Sequence, residues 1–160
     1  MIKVQSLSRY YGSSIAIKDL SFEIESKQVI GFLGLNGAGK STTLKILAGL
    51  LTPSSGNVEI DGRNLLDSTD SFRSYIGYLP EEPPLYLDMT VLEFLTYFAK
   101  LRGVEKDILQ YRIPVVLKNC QLLDVQNRII GELSLGFRKR VGIAQAIIHS
   151  PKLIILDEPI

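Results

Sequence analysis

The alternation of apolar and polar residues predicts β-structure at the start of the chain. Apolar positions alternate with polar ones over residues 2–7 and again over residues 15–24. A period of two is typical of strands that bury one face, as antiparallel strands commonly do. Residues 58–60 repeat the pattern before a turn at residues 61–62. We therefore expect an N-terminal antiparallel β subdomain.

Three nearly uninterrupted apolar runs predict a second kind of strand. They occupy residues 29–33, 76–79 and 153–156. A continuous apolar run is typical of a strand that is buried on both faces of a parallel sheet. Because helical patterns separate these runs, the sequence predicts an α/β fold with a mostly parallel core sheet.

The clearest helical pattern lies in the middle of the chain. Thr90 and Glu93 have the spacing of a capping box, and Gly103 is placed to close the helix that follows. Between them, apolar residues recur at helical spacing and are expected to face the core: Val91, Phe94, Leu95, Phe98 and Leu101.

Further helices are expected on the C-terminal side of this one. Residues 105–127 predict helical pieces that are broken near Pro114, because proline lacks the backbone donor of a helix interior. Ser134 is expected to cap a last helix that runs to about His149. We place a helical subdomain at about residues 82–135.

Composition narrows the class of protein. The 160 residues are 46% hydrophobic, which is enough for a core. The 18 Lys and Arg nearly balance the 17 Asp and Glu, so the charge gives no sign of a nucleic-acid partner. The basic cluster at residues 138–140 is expected to mark a solvated helix face. One cysteine, Cys120, excludes an internal disulfide. Without a signal peptide or a membrane-length apolar run, the chain is expected to be soluble and intracellular.

The most informative segment is residues 34–41, which read Gly-Leu-Asn-Gly-Ala-Gly-Lys-Ser. This matches the phosphate-binding loop of nucleoside triphosphatases. The apolar run at residues 29–33 and a helical pattern over residues 42–50 give it the strand and helix that the motif requires. We therefore expect a P-loop fold whose ligand is a nucleoside triphosphate with Mg²⁺.

Each residue type in the loop suits one task. Gly34, Gly37 and Gly39 are expected to let the backbone curl so that its N–H groups point at phosphate oxygens. Lys40 is expected to reach the β- and γ-phosphates, and Ser41 to give its hydroxyl to Mg²⁺. The other residues expected to bind the nucleotide along this segment are Leu35, Asn36, Ala38 and Thr42.

Two adjacent carboxylates follow the last apolar run. Asp157 is expected to hold Mg²⁺ from the end of its strand. Glu158 is expected to polarise the attacking water as a general base. Without a cation, two adjacent carboxylates at a buried strand end would repel each other, which favours a metal-linked role.

The motifs and their order resemble the nucleotide-binding domain of ATP-binding-cassette (ABC) ATPases. The resemblance covers nearly the whole chain. Residues 34–42 resemble the family's phosphate loop, and residues 53–62 its connection to the next strand. Residues 133–140, Leu-Ser-Leu-Gly-Phe-Arg-Lys-Arg, resemble the signature motif, and they lie just before the carboxylate strand as the family requires.

This resemblance implies that two such domains pair head to tail, as a homodimer or a heterodimer. Ser134 and Gly136 of one domain would then contact the ATP held by the other. Tyr11 matches the aromatic residue that stacks on adenine, although Tyr10 and Tyr11 also fit plain strand positions. Glu81 stands where a glutamine that reaches the metal and the attacking water is usual, and is expected to serve both.

The sequence also departs from the family pattern. Leu35 replaces a usual proline, and Leu135 and Phe137 replace the signature glycine and glutamine. We expect these changes to modify the contact with the opposing ATP. Ile160 stands where threonine is usual. His149 precedes the carboxylate strand, so it cannot take the place of the histidine that contacts the γ-phosphate in the family. We therefore expect the chain to be an incomplete domain.

The resemblance implies an ATPase subunit that powers a membrane transporter, most like the separate ATPase chains of bacterial exporters. It would lie in the cytoplasm against integral membrane permease subunits and would need ATP and Mg²⁺. A soluble ABC ATPase without a transporter, or a nucleotide-binding fragment without turnover, are the alternatives.

Overall fold

A computed structural model of the chain describes residues 1–65, 67, 72 and 74–159. The chain divides into two compact units, Met1–Arg73 and Ser74–Ile160. Each unit has secondary structure and buried residues of its own, and each is described separately below.

The first unit is built on a four-stranded antiparallel sheet with the order β2-β1-β3-β4. The strands are β1 (Ile2–Tyr11), β2 (Ser14–Ile24), β3 (Ser55–Ile60) and β4 (Arg63–Asn64). Asp61 and Gly62 join β3 to β4 with φ angles of 50° and 76°, which suits a tight hairpin turn. This sheet confirms the antiparallel β-structure predicted from the alternating pattern.

The first unit also contains helix α1 (Lys40–Leu47), which follows the glycine-rich segment. The side chains that this unit buries most completely come from β1, β3, α1 and the residue just after β4, and they are Val4, Leu7, Ile46, Val58 and Leu65. Because the inward positions of β1 and β3 are apolar while their other positions are polar, the sheet buries one face only.

The strand predicted at residues 29–33 is wrong for this structure. Among the described residues none pairs with it, and Val29 and Leu33 are almost fully exposed, at 101% and 93%. Only Phe32 packs, with its ring 5.8 Å from that of Phe22. An apolar run becomes a parallel strand only where a neighbour offers matching N–H and C=O groups.

The second unit contains a parallel strand pair, β5 (Ile76–Leu79) and β6 (Leu153–Leu156), in which Leu79 lies opposite Leu156. Both strands were predicted from their apolar runs, and both are confirmed. Helix α4 (Leu135–Ile147) packs against β5. Gly77 allows this close approach, because a Cβ there would lie 2.1 Å from the carbonyl oxygen of Ala146.

The other helices of the second unit are α2 (Val91–Leu101) and α3 (Lys106–Asn119), followed by 3₁₀ turns at Leu123–Val125 and Ile130–Glu132. The predicted capping box at Thr90 is present in full, with Glu93 accepting from the Thr90 backbone at 2.9 Å. Leu101, predicted to face the core, is 65% exposed because it lies in the last turn of α2, beyond the face that packs. α4 ends at Ile147, two residues before the predicted end.

Helix α3 runs without interruption through Pro114, so the predicted break is wrong. Proline removes one backbone bond and costs about 3 kcal/mol inside a helix. Ile113, Val116 and Leu117 on the same helix are buried, and each contributes about 1.5–3 kcal/mol. Packing therefore outweighs the proline, which a reading of local propensity alone does not detect.

Candidate nucleotide-binding and catalytic site

The glycine-rich segment forms a tight loop that ends where α1 begins. Gly37 and Gly39 have φ angles of 81° and 85°, in the left-handed region that favours glycine. A Cβ at Gly39 would also lie 2.2 Å from the carbonyl oxygen of Ala16 on β2. Gly39 is therefore required both by its backbone angle and by close packing of the loop on the sheet.

Gly34 does not take part in this curl. Its φ lies outside the left-handed region, and a Cβ there would make an ordinary 3.5 Å contact with the Cβ of Ala38. The loop instead turns through a hydrogen bond from the Ala38 amide to the Leu35 carbonyl, at 3.1 Å. Leu35, Asn36 and Ala38 are all exposed.

The side chain of Lys40 folds back over the loop. Its Nζ donates to the carbonyl oxygens of Gly34, at 2.7 Å, and Leu35, at 3.0 Å. No side chain caps α1, and its first turn contains no acidic residue. The loop thus combines a lysine ammonium group with the positive end of a helix dipole, an arrangement that attracts anions such as phosphate.

Ser41 and Thr42 follow Lys40 in the first turn of α1, and both are half-buried. Thr43, which the sequence reasoning did not single out, secures the loop. Its amide and its hydroxyl both donate to the Gly39 carbonyl, at 2.8 Å and 2.9 Å, and the residue is buried. Threonine bonding four residues back along a helix is a recognisable pattern that could have indicated this role.

Tyr11 lies at the end of β1, where it pairs with Ser14. Its side chain is 49% exposed, and the Arg9 guanidinium stands 4.8 Å from the centre of its ring. Tyr10, the alternative candidate, is exposed to a similar degree. The geometry thus leaves an exposed tyrosine ring at each position, and adenine stacking by Tyr11 stays a prediction.

The carboxylates lie in the second unit. Asp157 is only 5% exposed, and its amide donates to the Leu79 carbonyl at 2.9 Å, which extends the parallel ladder one residue beyond β6. Glu158 is exposed and has a φ of 48°. Glu81 lies in the exposed loop after β5. Carboxylates thus follow both strands of the pair at the same end.

Tyr78 reports on the surroundings of Asp157. Burial of its hydroxyl, and then the negative charge of Asp157, raise the pKa of Tyr78 above its usual value. The Tyr78 hydroxyl is buried and has no hydrogen-bond partner among the described residues. The tyrosine therefore stays neutral at physiological pH and adds no charge beside the carboxylate.

The signature-like segment forms the start of α4. The Ser134 hydroxyl accepts from the Phe137 amide at 3.5 Å, so the serine caps the helix as predicted. Leu135 is 73% exposed, and Gly136 is exposed with open space around its Cβ position. This helix end presents Ser134 and Gly136 on the surface of the second unit.

The basic cluster at residues 138–140, expected to mark a solvated helix face, is solvated only in part: Arg140 is exposed, whereas Arg138 and Lys139 are half-buried. The Arg138 guanidinium donates to the Ile130 and Gly131 carbonyls. Lys139 donates to carbonyls of both carboxylate loops. The Arg140 guanidinium lies 5.2 Å from the centre of the Phe137 ring. Arg138 and Lys139 thus donate to backbone carbonyls of loops, which a charge count cannot reveal.

His149 lies just after α4, and its Nε2 is 3.2 Å from the Ile76 carbonyl. Burial, and then the charges of Arg102 and Arg112, lower the pKa of His149, although the bond to Ile76 opposes them. Its Nδ1 is buried without a hydrogen-bond partner among the described residues. His149 therefore serves the packing of the second unit as a neutral side chain.

Two kinds of feature are absent from the residues that the structure describes. No group of three or more His, Cys, Asp or Glu side chains is arranged to hold a metal ion. In addition, none of the described helices has the length and hydropathy to cross a membrane.

Comparison with known proteins decides the family. The sequence profile described as "ABC transporter" matches residues 17–160. The chain belongs to the ABC transporter family. This confirms the resemblance carried by the phosphate loop, the signature-like segment and the carboxylate strand. Ile160, where we noted a departure from the family's threonine, lies outside the described residues.

Individual relatives agree with this assignment. The chain is 42% identical over its whole length to the uncharacterised ABC transporter ATP-binding protein YxlF of Bacillus subtilis, and covers 52% of that protein. Over 99% of its length it is 38% identical to the bacitracin transport ATP-binding protein BcrA of Bacillus licheniformis, and covers 51% of it. The chain thus spans about half the length of these curated relatives.

The fold agrees as well. The dimeric structure of MJ0796, a bacterial ABC transporter cassette, superposes with a TM-score of 0.87 at 29% identity, over 99% of this chain and 74% of that one. This confirms the predicted P-loop fold class, with its antiparallel N-terminal sheet, parallel strands and helices. The assignment of individual residues to nucleotide, metal and partner stays a prediction.

Proposed function

We propose that this chain binds MgATP through its glycine loop and belongs to an ATPase that powers a membrane transporter. The observation that carries the proposal is the geometry of the loop. Two glycines in the left-handed region precede an uncapped helix start, and the Lys40 ammonium group lies over the loop carbonyls. Such a loop suits the triphosphate of a nucleotide.

Each candidate residue then has a defined task. Lys40 neutralises the β- and γ-phosphates, while the backbone N–H groups of residues 34–42 donate to the phosphate oxygens. Ser41 and Asp157 bind Mg²⁺, with Glu81 as an additional oxygen ligand. The cation supplies positive charge against the negative charge of the phosphates.

Glu158 activates the water that attacks the γ-phosphorus, by accepting one of its protons. The exposed carboxylate of Glu158 suits this task better than buried Asp157, because a base that receives a proton from water needs access to it. Glu81 orients the same water from the neighbouring loop. Tyr11 stacks on the adenine ring.

A second ABC ATPase domain completes the site. The exposed start of α4 presents Ser134 and Gly136 as donors to the γ-phosphate of the nucleotide that the other domain holds. The dimeric structure of MJ0796 supports such pairing. The exposed side chain of Leu135 lies beside these donors and modifies that contact.

The transporter role draws on the relatives. BcrA is described as a bacitracin transport protein, and YxlF as an ABC transporter protein. We propose that the chain acts in the same setting, at the cytoplasmic face of a membrane and held there by integral permease subunits.

The test is MgATP hydrolysis by the full-length protein, compared among wild type, Lys40→Ala, Glu158→Gln and the control Lys45→Ala. Lys45 lies on the same helix as Lys40 and is exposed. We expect Lys40→Ala and Glu158→Gln each to lose at least about 100-fold in kcat, which corresponds to about 2.7 kcal/mol. Lys45→Ala should keep wild-type turnover. Equal turnover in all four proteins would refute the catalytic assignment.

A further inference from the structure

The side chain of Lys139 joins two separate loops of the second unit. It extends from the second turn of α4, and its Nζ donates to the backbone carbonyl oxygens of Glu81 and Glu158, both at 2.9 Å. Lys139 is half-buried, unlike the freely solvated lysines of the chain. One ammonium group therefore restrains both residues that we propose to act on the attacking water.

The position of this contact follows from the strand pairing. β5 and β6 run parallel, with Leu79 opposite Leu156, and the bond from the Asp157 amide to the Leu79 carbonyl ends their ladder. Glu81 and Glu158 each lie two residues beyond these paired leucines. Lys139 therefore links the two segments that follow β5 and β6 at the point where they leave the sheet.

The Lys139 bond holds Glu158 in an unusual backbone conformation. Its φ of 48° lies in the left-handed region, where a residue with a side chain is strained. Such a conformation persists only where the surrounding structure holds it, and it recurs at functional sites. A bond from a charged donor to the carbonyl of that same residue is stronger than a neutral one.

We infer that Lys139 is a positioning residue for ATP hydrolysis. By fixing the carbonyls of Glu81 and Glu158, it sets the places from which their carboxylates reach the attacking water. Lys139 itself touches neither nucleotide nor water in this role. The inference rests on the proposed function, because it assigns Lys139 a task in that reaction.

The kinetic test compares Lys139→Met, Lys139→Arg and Lys118→Met in the full-length protein. Methionine keeps the length of the side chain without its donors, whereas arginine keeps the charge and several donors. Lys118, exposed on α3, is the matched control. We expect Lys139→Met to lower kcat about tenfold with KM for MgATP within twofold of wild type, and Lys139→Arg to recover most of that loss.

A second readout does not depend on turnover. Backbone amide exchange of Glu81 and Glu82 in one loop, and of Asp157 and Glu158 in the other, is measured by mass spectrometry in the nucleotide-free protein; the remaining residues of the loops are prolines without an amide proton. We expect Lys139→Met to speed exchange in both loops together, while Lys118→Met leaves both at the wild-type rate. Unchanged exchange in both loops, or equal kcat for Lys139→Met and an active wild type, would overturn the inference.

The two readouts separate this inference from the proposed function. If wild type hydrolyses ATP no faster than Lys40→Ala, the proposed function fails, and the role of Lys139 in hydrolysis fails with it. If wild type is active but Lys139→Met matches it in kcat or in the exchange of both loops, only the inference fails. A tenfold loss in kcat with faster exchange in both loops supports both.

Discussion

The two units hold their candidate site residues in different ways. In the first unit the main chain shapes the candidate phosphate loop. The loop over residues 34–41 depends on the backbone angles of its glycines and on carbonyl groups that accept from Lys40. In the second unit the candidate groups are side chains. The carboxylates follow two paired strands, and Lys139 donates to a carbonyl of each loop that carries them. A backbone site tolerates change at most side chains but not at its glycines, whereas a side-chain site depends on the packing that holds its strands.

The largest effect predicted from this comparison concerns Gly39. Alanine there combines a strained φ with a Cβ placed 2.2 Å from the Ala16 carbonyl oxygen, so the loop must move. At Gly37 the φ is similar, but a Cβ would meet open space. We expect Gly39→Ala to weaken MgATP binding at least about 100-fold and Gly37→Ala about tenfold, since the left-handed region alone costs about 1–2 kcal/mol.

Equilibrium titration with a fluorescent ATP analogue in the presence of Mg²⁺ measures both affinities in the full-length protein. Equal affinities for the two variants would show that the contact with β2 does not shape the loop.

A smaller effect is expected where α4 packs on β5. Alanine at Gly77 would place a Cβ 2.1 Å from the Ala146 carbonyl oxygen and 2.9 Å from a Pro151 side-chain carbon. Overpacking of this kind costs about 1–3 kcal/mol, because backbone on both sides must shift. Urea unfolding of Gly77→Ala should show that loss. Gly31→Ala is the control, since nothing lies within 4 Å of its Cβ position, and an equal loss there would contradict the packing argument.

The smallest effect is a pH dependence through His149. Its folded pKa lies below the usual 6.5, so the unfolded chain binds the proton first as the pH falls. Stability is therefore lost progressively below about pH 6.5. In His149→Gln, whose amide keeps a donor for the Ile76 carbonyl, this part of the loss should disappear.

Thermal unfolding of both proteins at half-unit steps from pH 7 to pH 5 tests this prediction. The melting temperature of wild type should fall more steeply than that of the variant. Parallel curves would show that His149 does not carry the acid sensitivity.

Features set by residues that are close together in sequence could be predicted. The capping box at Thr90, the turn at Asp61-Gly62 and the cap at Ser134 all form where the residue types place them. Features set by distant neighbours could not be predicted. The run at residues 29–33 has no strand partner among the described residues, and α3 passes through Pro114 because of packing that lies elsewhere in the chain.

The site follows the same division. The loop motif predicts which residues bind phosphate, because the curl of the loop and its charge depend on residues adjacent in sequence. The contact of Lys139 with the two loops could not be predicted, because its two partners lie 58 and 19 positions away along the chain. No pattern in the local sequence announces such a contact.

The most direct test of the account asks whether one nucleotide engages both regions. Amide exchange is followed in the full-length Glu158→Gln protein, which we expect to bind MgATP without hydrolysing it, while MgATP is titrated in. We predict slower exchange over residues 34–42 and over residues 153–159, with the same midpoint concentration for both. Protection of the glycine loop alone, or two clearly different midpoints, would contradict the claim that the loop and the carboxylates serve the same MgATP.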